Sequence, residues 1–108
     1  MDNLIKVGGA HNYSTQEHIV GKWIDGSDVY ERTISKTITK GTSTLGELPI
    51  SLLISIKGSL TTTNRMYNVN YLSGDNTNYF YMYITDGKYL SYSASVNGTA
   101  NITIQYIK

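Results

Sequence analysis

Along most of this chain apolar residues recur at every second position, and the runs are short. Ile50, Leu52, Ile54 and Ile56 alternate with Ser51, Leu53, Ser55 and Lys57, and Phe80, Met82 and Ile84 alternate with Tyr79, Tyr81 and Tyr83. Near the end, Ile102 and Ile104 alternate with Thr103 and Gln105. Successive side chains of an extended strand point to opposite faces, so this pattern predicts half-buried strands. Strands are predicted over 19–24, 28–38, 50–57, 66–72, 79–85, 88–96 and 99–107, with longer loops at Gly41–Pro49 and Ser73–Asn78. Residues 1–12 contain Gly8-Gly9 and little periodicity, and read as an N-terminal arm or linker; 13–108 read as one domain. Short strands with frequent turn signals predict an all-β fold, an antiparallel two-sheet β-sandwich.

The turn chemistry sharpens the prediction. Ser14 and Glu17 have the spacing of a capping box, which predicts a short helical turn over 14–18. Asp25-Gly26, Asp86-Gly87 and Asn97-Gly98 each signal a two-residue hairpin, because such turns need positive φ at their centre. The first turn sets Trp23 opposite Asp28 and Gly21 opposite Tyr30. Ile19, Trp23, Tyr30, Ile34 and Ile38 then share one face, with Trp23 as a core ring. Arg32 and Lys36 share that face too, so it is either partly exposed or near an edge. The two later turns set Ile84 against Tyr89, Ser93 against Ile102 and Ser91 against Ile104. One face of this meander then carries Phe80, Met82, Ile84, Ser91, Ser93, Ile102, Ile104 and Tyr106. The other carries Tyr79, Tyr81, Tyr83, Leu90, Tyr92, Asn101, Thr103 and Gln105, a tyrosine-rich surface.

Composition narrows the function classes. A 108-residue chain buries roughly 65% of its unfolded surface, enough to fold without staples. Cysteine is absent, which excludes a disulfide scaffold. The formal net charge is +1 and the cations are scattered, whereas phosphate binding needs them clustered, so no nucleic acid is expected as a partner. No apolar run approaches the roughly 20 residues of a spanning helix, so no membrane is expected either.

The candidate catalytic groups do not assemble into a motif. His11 and His18 with Glu17 match no ligand spacing, so no metal and no cofactor is expected. Asp28 and Glu31 project to opposite faces of a regular strand, which does not suit paired-carboxylate chemistry. Gly-x-Ser-x-Gly is absent, and an enzyme is not expected. Ten tyrosines against one tryptophan and one phenylalanine are the more distinctive feature. A hydroxylated ring suits surfaces that stay soluble yet bind, although half-buried strand positions favour tyrosine anyway. Tyr79, Tyr81, Tyr83 and Tyr92 are the candidates for a subunit interface, because extended aromatic surface marks a contact. Tyr71, Asn76, Asn78 and Tyr79 are the candidates for glycan binding, offering flat apolar faces and amide hydrogen bonds. Asn76 and Asn78 also suit a turn. Trp23, Asp25, Gly26 and Tyr30 are assigned structural roles.

The segment Tyr13-Ser14-Thr15-Gln16-Glu17 through Val20-Gly21-Lys22-Trp23-Ile24-Asp25-Gly26, followed by Tyr30 and Thr33, carries a resemblance. It resembles the opening of small C-terminal β-sandwich domains of phage and prophage tail-fibre proteins. The end, Ile102-Thr103-Ile104-Gln105-Tyr106-Ile107-Lys108, is similar to that family's closing strand. The chain departs at Gly26-Ser27-Asp28, where the family often has Gly-Lys-Pro. The resemblance implies a homotrimeric, receptor-binding virion module at a fibre tip, released outside the cell on host lysis and touching a host glycan or protein. The alternative is a carbohydrate-binding module of a secreted or cell-surface protein.

Overall fold

The computed structural model describes residues 11–48 and 50–108; most of the expected arm, and Pro49, lie outside the described residues. Among the described residues the chain is all-β, two antiparallel sheets packed face to face. The described residues form nine strands: β1 (His18–Lys22), β2 (Asp28–Ile38), β3 (Gly41–Glu47), β4 (Leu52–Thr61), β5 (Met66–Asn68), β6 (Tyr71–Leu72), β7 (Tyr79–Thr85), β8 (Tyr89–Ala94) and β9 (Gly98–Ile107). One sheet has the order β1-β2-β9-β4-β5, the other β3-β8-β7-β6.

Between the sheets lies one apolar core. Leu60, Phe80, Ala94, Ala100, Ile102 and Ile104 are fully buried there, with Tyr106 and Leu90 all but covered. The last strand is its spine. β9 pairs along its length with β2 on one side and β4 on the other, so its alternate residues Ala100, Ile102, Ile104 and Tyr106 meet the opposite sheet. Gly58 on β4 lies opposite Ile102 with φ of 138°, and a Cβ there would sit 2.0 Å from the Asn101 carbonyl oxygen. Only glycine allows that approach.

Several sequence expectations are corrected. No helical turn forms at 14–18. The residues bend instead; the Ser14 hydroxyl accepts from the Gln16 amide, while Glu17 turns to Tyr106 and Lys108. A capping box needs a helix to cap, and here β1 begins at His18. The Asp25-Gly26 turn exists but spans three residues: Trp23 N donates to Ser27 O, and Gly26 N to Trp23 O, with Gly26 at φ 89°. That is a tight turn followed by a left-handed residue, the usual three-residue hairpin. Lys22 therefore faces Asp28, and Ile19 faces Tyr30 across a bulge. Trp23 is left half-buried and outside the core cluster.

The Asp86-Gly87 turn forms with positive φ at both residues, yet Thr85 pairs with Tyr89, not Lys88. Because the side-chain period is two, this slip turns every residue of β8 over. Leu90, Tyr92 and Ala94 face the core, and Ser91 and Ser93 face outward. Tyr92 is thus interior, its hydroxyl donating to the Thr39 carbonyl at 3.0 Å. Asn97-Gly98 makes no hairpin, since β8 and β9 belong to different sheets. The Asn97 side chain instead accepts from the Lys40 amide at 2.7 Å, tying together two corners where the chain changes sheet.

The expected loop 41–49 contains β3, and the expected strand 66–72 is split at Asn70 (φ 64°) into β5 in one sheet and β6 in the other. On β4 a bulge between Leu53 and Ser55 breaks the alternation of Ile50 to Ile56, so Leu53 and not Leu52 takes the inward side with Ile56 and Leu60.

Candidate functional site

Three features could carry function: the outer face of the four-stranded sheet, a carboxylate cluster on the outer face of the five-stranded sheet, and a cleft between the sheets.

The outer face of the four-stranded sheet is a grid set by register. Tyr81 faces Ser93, which faces Thr42; Tyr83 faces Ser91, which faces Thr44. Tyr79 precedes them on the same side of β7. These rows contain aromatic rings and hydroxyls and no charged side chain. The hydroxyls also bond to one another: Thr42 Oγ1 is 2.8 Å from Ser93 Oγ, and Thr85 Oγ1 is 2.7 Å from Ser91 Oγ. The Tyr79 and Tyr81 rings stack at 5.6 Å with planes 17° apart. They spend one flat face each on the other. Of the interface candidates, Tyr79, Tyr81 and Tyr83 are brought together here and half-exposed, whereas Tyr92 lies behind them in the core.

The glycan-binding candidates are divided. Tyr71 pairs with Phe80 and so lies on the inner side of the β6–β7 hairpin, stacked on Tyr67 at 5.3 Å; Tyr79 pairs with Leu72 and lies on the outer side. Asn76 takes φ of 63° at the tip of the intervening loop, and its amide donates to the Ser73 carbonyl. Asn78 closes the loop, its carbonyl accepting from Ser73 N. Both asparagines shape the turn. The loop's order comes from Asp75, which accepts from the Ser73 and Thr77 hydroxyls and the Thr77 amide; these bonds hold its carboxyl down at about 2.

The second feature is one the sequence did not reveal. Glu31 faces Gln105 across β2 and β9 on the outer face of the larger sheet, yet it is wholly buried. His11 Nε2 lies 2.7 Å from Glu31 Oε1, His18 Nε2 lies 3.6 Å from the same oxygen, and the Gln105 amide donates to Oε2 at 2.8 Å. Burial pushes the Glu31 carboxyl up, but the Gln105 and His11 hydrogen bonds and both imidazoles outweigh it, and the net shift is downward. The segment around these residues is laced to β2: Ser14 O accepts from Thr33 N, and Thr15 O from Arg32 Nε. At the end of the sheet, Glu17 accepts from the Tyr106 hydroxyl at 2.9 Å and pairs with Lys108 at 2.9 Å. The Lys108 bond, with the Tyr106 bond and the charges of Lys108 and Arg32, lowers the Glu17 carboxyl; burial and Glu17 together raise the Tyr106 hydroxyl. The histidines therefore meet Glu31 rather than Glu17. Among the described residues no three His, Cys, Asp or Glu side chains are spaced to hold a metal ion. The cluster acts as a clasp for residues 11–18.

The third feature is a cleft of about 280 Å³ between β2 and β3, lined by Arg32, Ile34, Lys36, Leu45, Leu48 and Leu90, with Gly46 and Glu47 at its rim. It opens where β2 runs on past β1 and past the Ser14–Thr33 bond, which leaves the sandwich uncovered along that edge. The sequence placed Arg32 and Lys36 on the inward face, partly exposed or near an edge, and that is where they stand.

No family model, characterised protein or solved structure matches the chain.

Proposed function

We propose that this domain is a non-enzymatic receptor-binding module at the tip of a phage or prophage tail fibre, contacting the bacterial host surface and working as a homotrimer. The observation that carries the reading is the uncharged patch built by Tyr79, Tyr81 and Tyr83 beside Ser93, Thr42 and Thr44, with Ser91 covered beneath it. Rigid tyrosines supply contact area at low entropic cost, and small hydroxyl residues adapt their hydrogen bonds to a partner; recognition surfaces combine the two for that reason. The resemblance of the opening and closing segments to tail-fibre domains supplies the setting and the number three. Multivalent display fits the chemistry, because weak sites on linked copies gain strength through effective concentration.

The test is a Tyr81→Ala/Tyr83→Ala double variant of the whole chain, assayed for attachment to a panel of bacterial strains and for mass by light scattering. Attachment should fall at least tenfold while mass and melting temperature hold. Unchanged attachment overturns the assignment of this face. A drop in mass instead makes the face the contact between copies.

A further inference from the structure

The cleft between β2 and β3 has its own chemistry. Arg32 and Lys36 lie on the face of β2 that also carries Ile34 and Ile38, the side turned toward the second sheet. Cations there lose solvation unless their head groups reach water or an anion. β3 provides the room: its ladder shifts register between Thr44 and Gly46, and a Cβ on Gly46 would meet nothing within 4 Å. The floor is apolar, made by Ile34, Leu45, Leu48 and Leu90.

The cations keep donors to spare. Arg32 spends Nε on the Thr15 carbonyl at 3.2 Å, which anchors the guanidinium; among the described residues its Nη groups make no hydrogen bond, and its charge reaches Glu17 only at a distance. Lys36 makes no ion pair among the described residues. Glu47, the acidic residue at the rim, is drawn toward Lys88 at 3.7 Å. A guanidinium fork matches a carboxylate in two parallel hydrogen bonds. At about 280 Å³ the cleft lies just below the usual range of ligand pockets, which starts at ~300 Å³. It accommodates one ring, not a chain.

We infer that the cleft is a second binding site, separate from the tyrosine face, for a small ring bearing a carboxylate, as in a hexuronate. The carboxylate meets Arg32 and Lys36, and the ring's C–H face lies on Ile34, Leu45 and Leu48. The site stands whether or not the receptor-binding reading holds; that reading bears only on whether the uronate is free or part of a surface polysaccharide.

The experiment is a titration of the isotope-labelled whole chain, following backbone amide shifts, with glucuronate, glucose and inorganic phosphate in turn. Glucuronate should shift the amides of Ile34 and Leu45–Leu48 saturably. Glucose should leave them in place, and phosphate, which cannot use the apolar floor, should bind about tenfold more weakly, a difference of about 1.4 kcal/mol. Lys36→Gln is an exposed change that leaves the fold intact and should weaken glucuronate about tenfold; Arg32→Gln should abolish its binding. Equal responses to glucose and glucuronate, phosphate binding as tightly, shifts confined to Tyr79–Tyr83, or unaltered affinity in Lys36→Gln each overturn the proposal. A uronate oligomer binding more tightly than the monomer identifies a polysaccharide source; binding of the monomer alone identifies the free acid.

Discussion

Phe80 and Trp23 show how little residue type says about burial. The larger ring sits half-exposed beside a hairpin turn, and the smaller one is fully buried. Phe80→Ala should cost about 3–5 kcal/mol through lost transfer energy and the cavity left behind. Trp23→Ala should cost about 1–2 kcal/mol, the range of an ordinary substitution; urea unfolding of both variants checks the order. Glu31 is the opposite case, a charge that burial should penalise but that Gln105 and His11 satisfy. Glu31→Ala leaves the Gln105 amide unpaired and should cost about 2–3 kcal/mol, in line with a lost bond to a charged group.

Protonation follows from the same contacts. The folded-state carboxyl values of Glu31 and Glu17 are lowered, so their stabilisation is complete above the unfolded value of about 4.3 and is lost as pH falls through the folded values. Tyr106 is raised, so its contribution is complete below about pH 10 and is lost as pH rises beyond that. A plot of melting temperature against pH should therefore fall on both sides. In Glu17→Gln, which removes a carboxylate from both limbs, both falls should be shallower; limbs as steep as in the parent protein would contradict the assignment.

At the scale of elements, register decides what each strand does. The turn at Asp86-Gly87 carries an extra residue before β8 pairs, and this sends Leu90 and Tyr92 inward and Ser91 and Ser93 outward. β9 depends on glycine where β4 crosses close to it. Gly58→Ala adds a Cβ 2.0 Å from a backbone oxygen at a φ of 138°, and rigid backbone cannot yield as a side-chain tip can. That change should cost at least about 2 kcal/mol, the scale of a strained backbone position, read as a lower melting temperature or failure to fold. Gly74→Ala, where a Cβ meets nothing within 4 Å, should be near neutral and serves as the control.

For the whole molecule, the two sheets differ in what covers their outer faces. His11 and His18 clasp Glu31 on the larger sheet, while the tyrosine grid of the smaller sheet faces out. This asymmetry is why the proposed receptor-binding module is assigned its contact on the smaller sheet. If the tyrosine face holds copies together instead, the double variant will lose mass before it loses attachment. The sandwich also leaves one edge open, and there Arg32 and Lys36 stand over an apolar floor.

Local order alone carries the fold class, the strands of the last third and the inward positions of β7 and β9, because a period of two survives in it. Phe80, Met82, Ile102 and Ile104 were legible as core from alternation alone, and Tyr79, Tyr81 and Tyr83 as the opposite face. It also showed Arg32 and Lys36 on the inward face of β2, without the cleft that makes them useful. Tertiary structure decided the rest. Whether a turn holds two residues or three is a matter of one hydrogen bond, and β8 inverted on that. Whether Asn97-Gly98 turns back or crosses to the other sheet depends on which strands lie free to pair, and β2 and β4 take β9 between them. β3 was hidden because Gly, Thr and Ser make a polar edge strand look like a loop. The clasp binds Glu31 to His11, 20 residues before it, and to Gln105, 74 residues after it, and no local pattern encodes a meeting that the sheet's register alone creates.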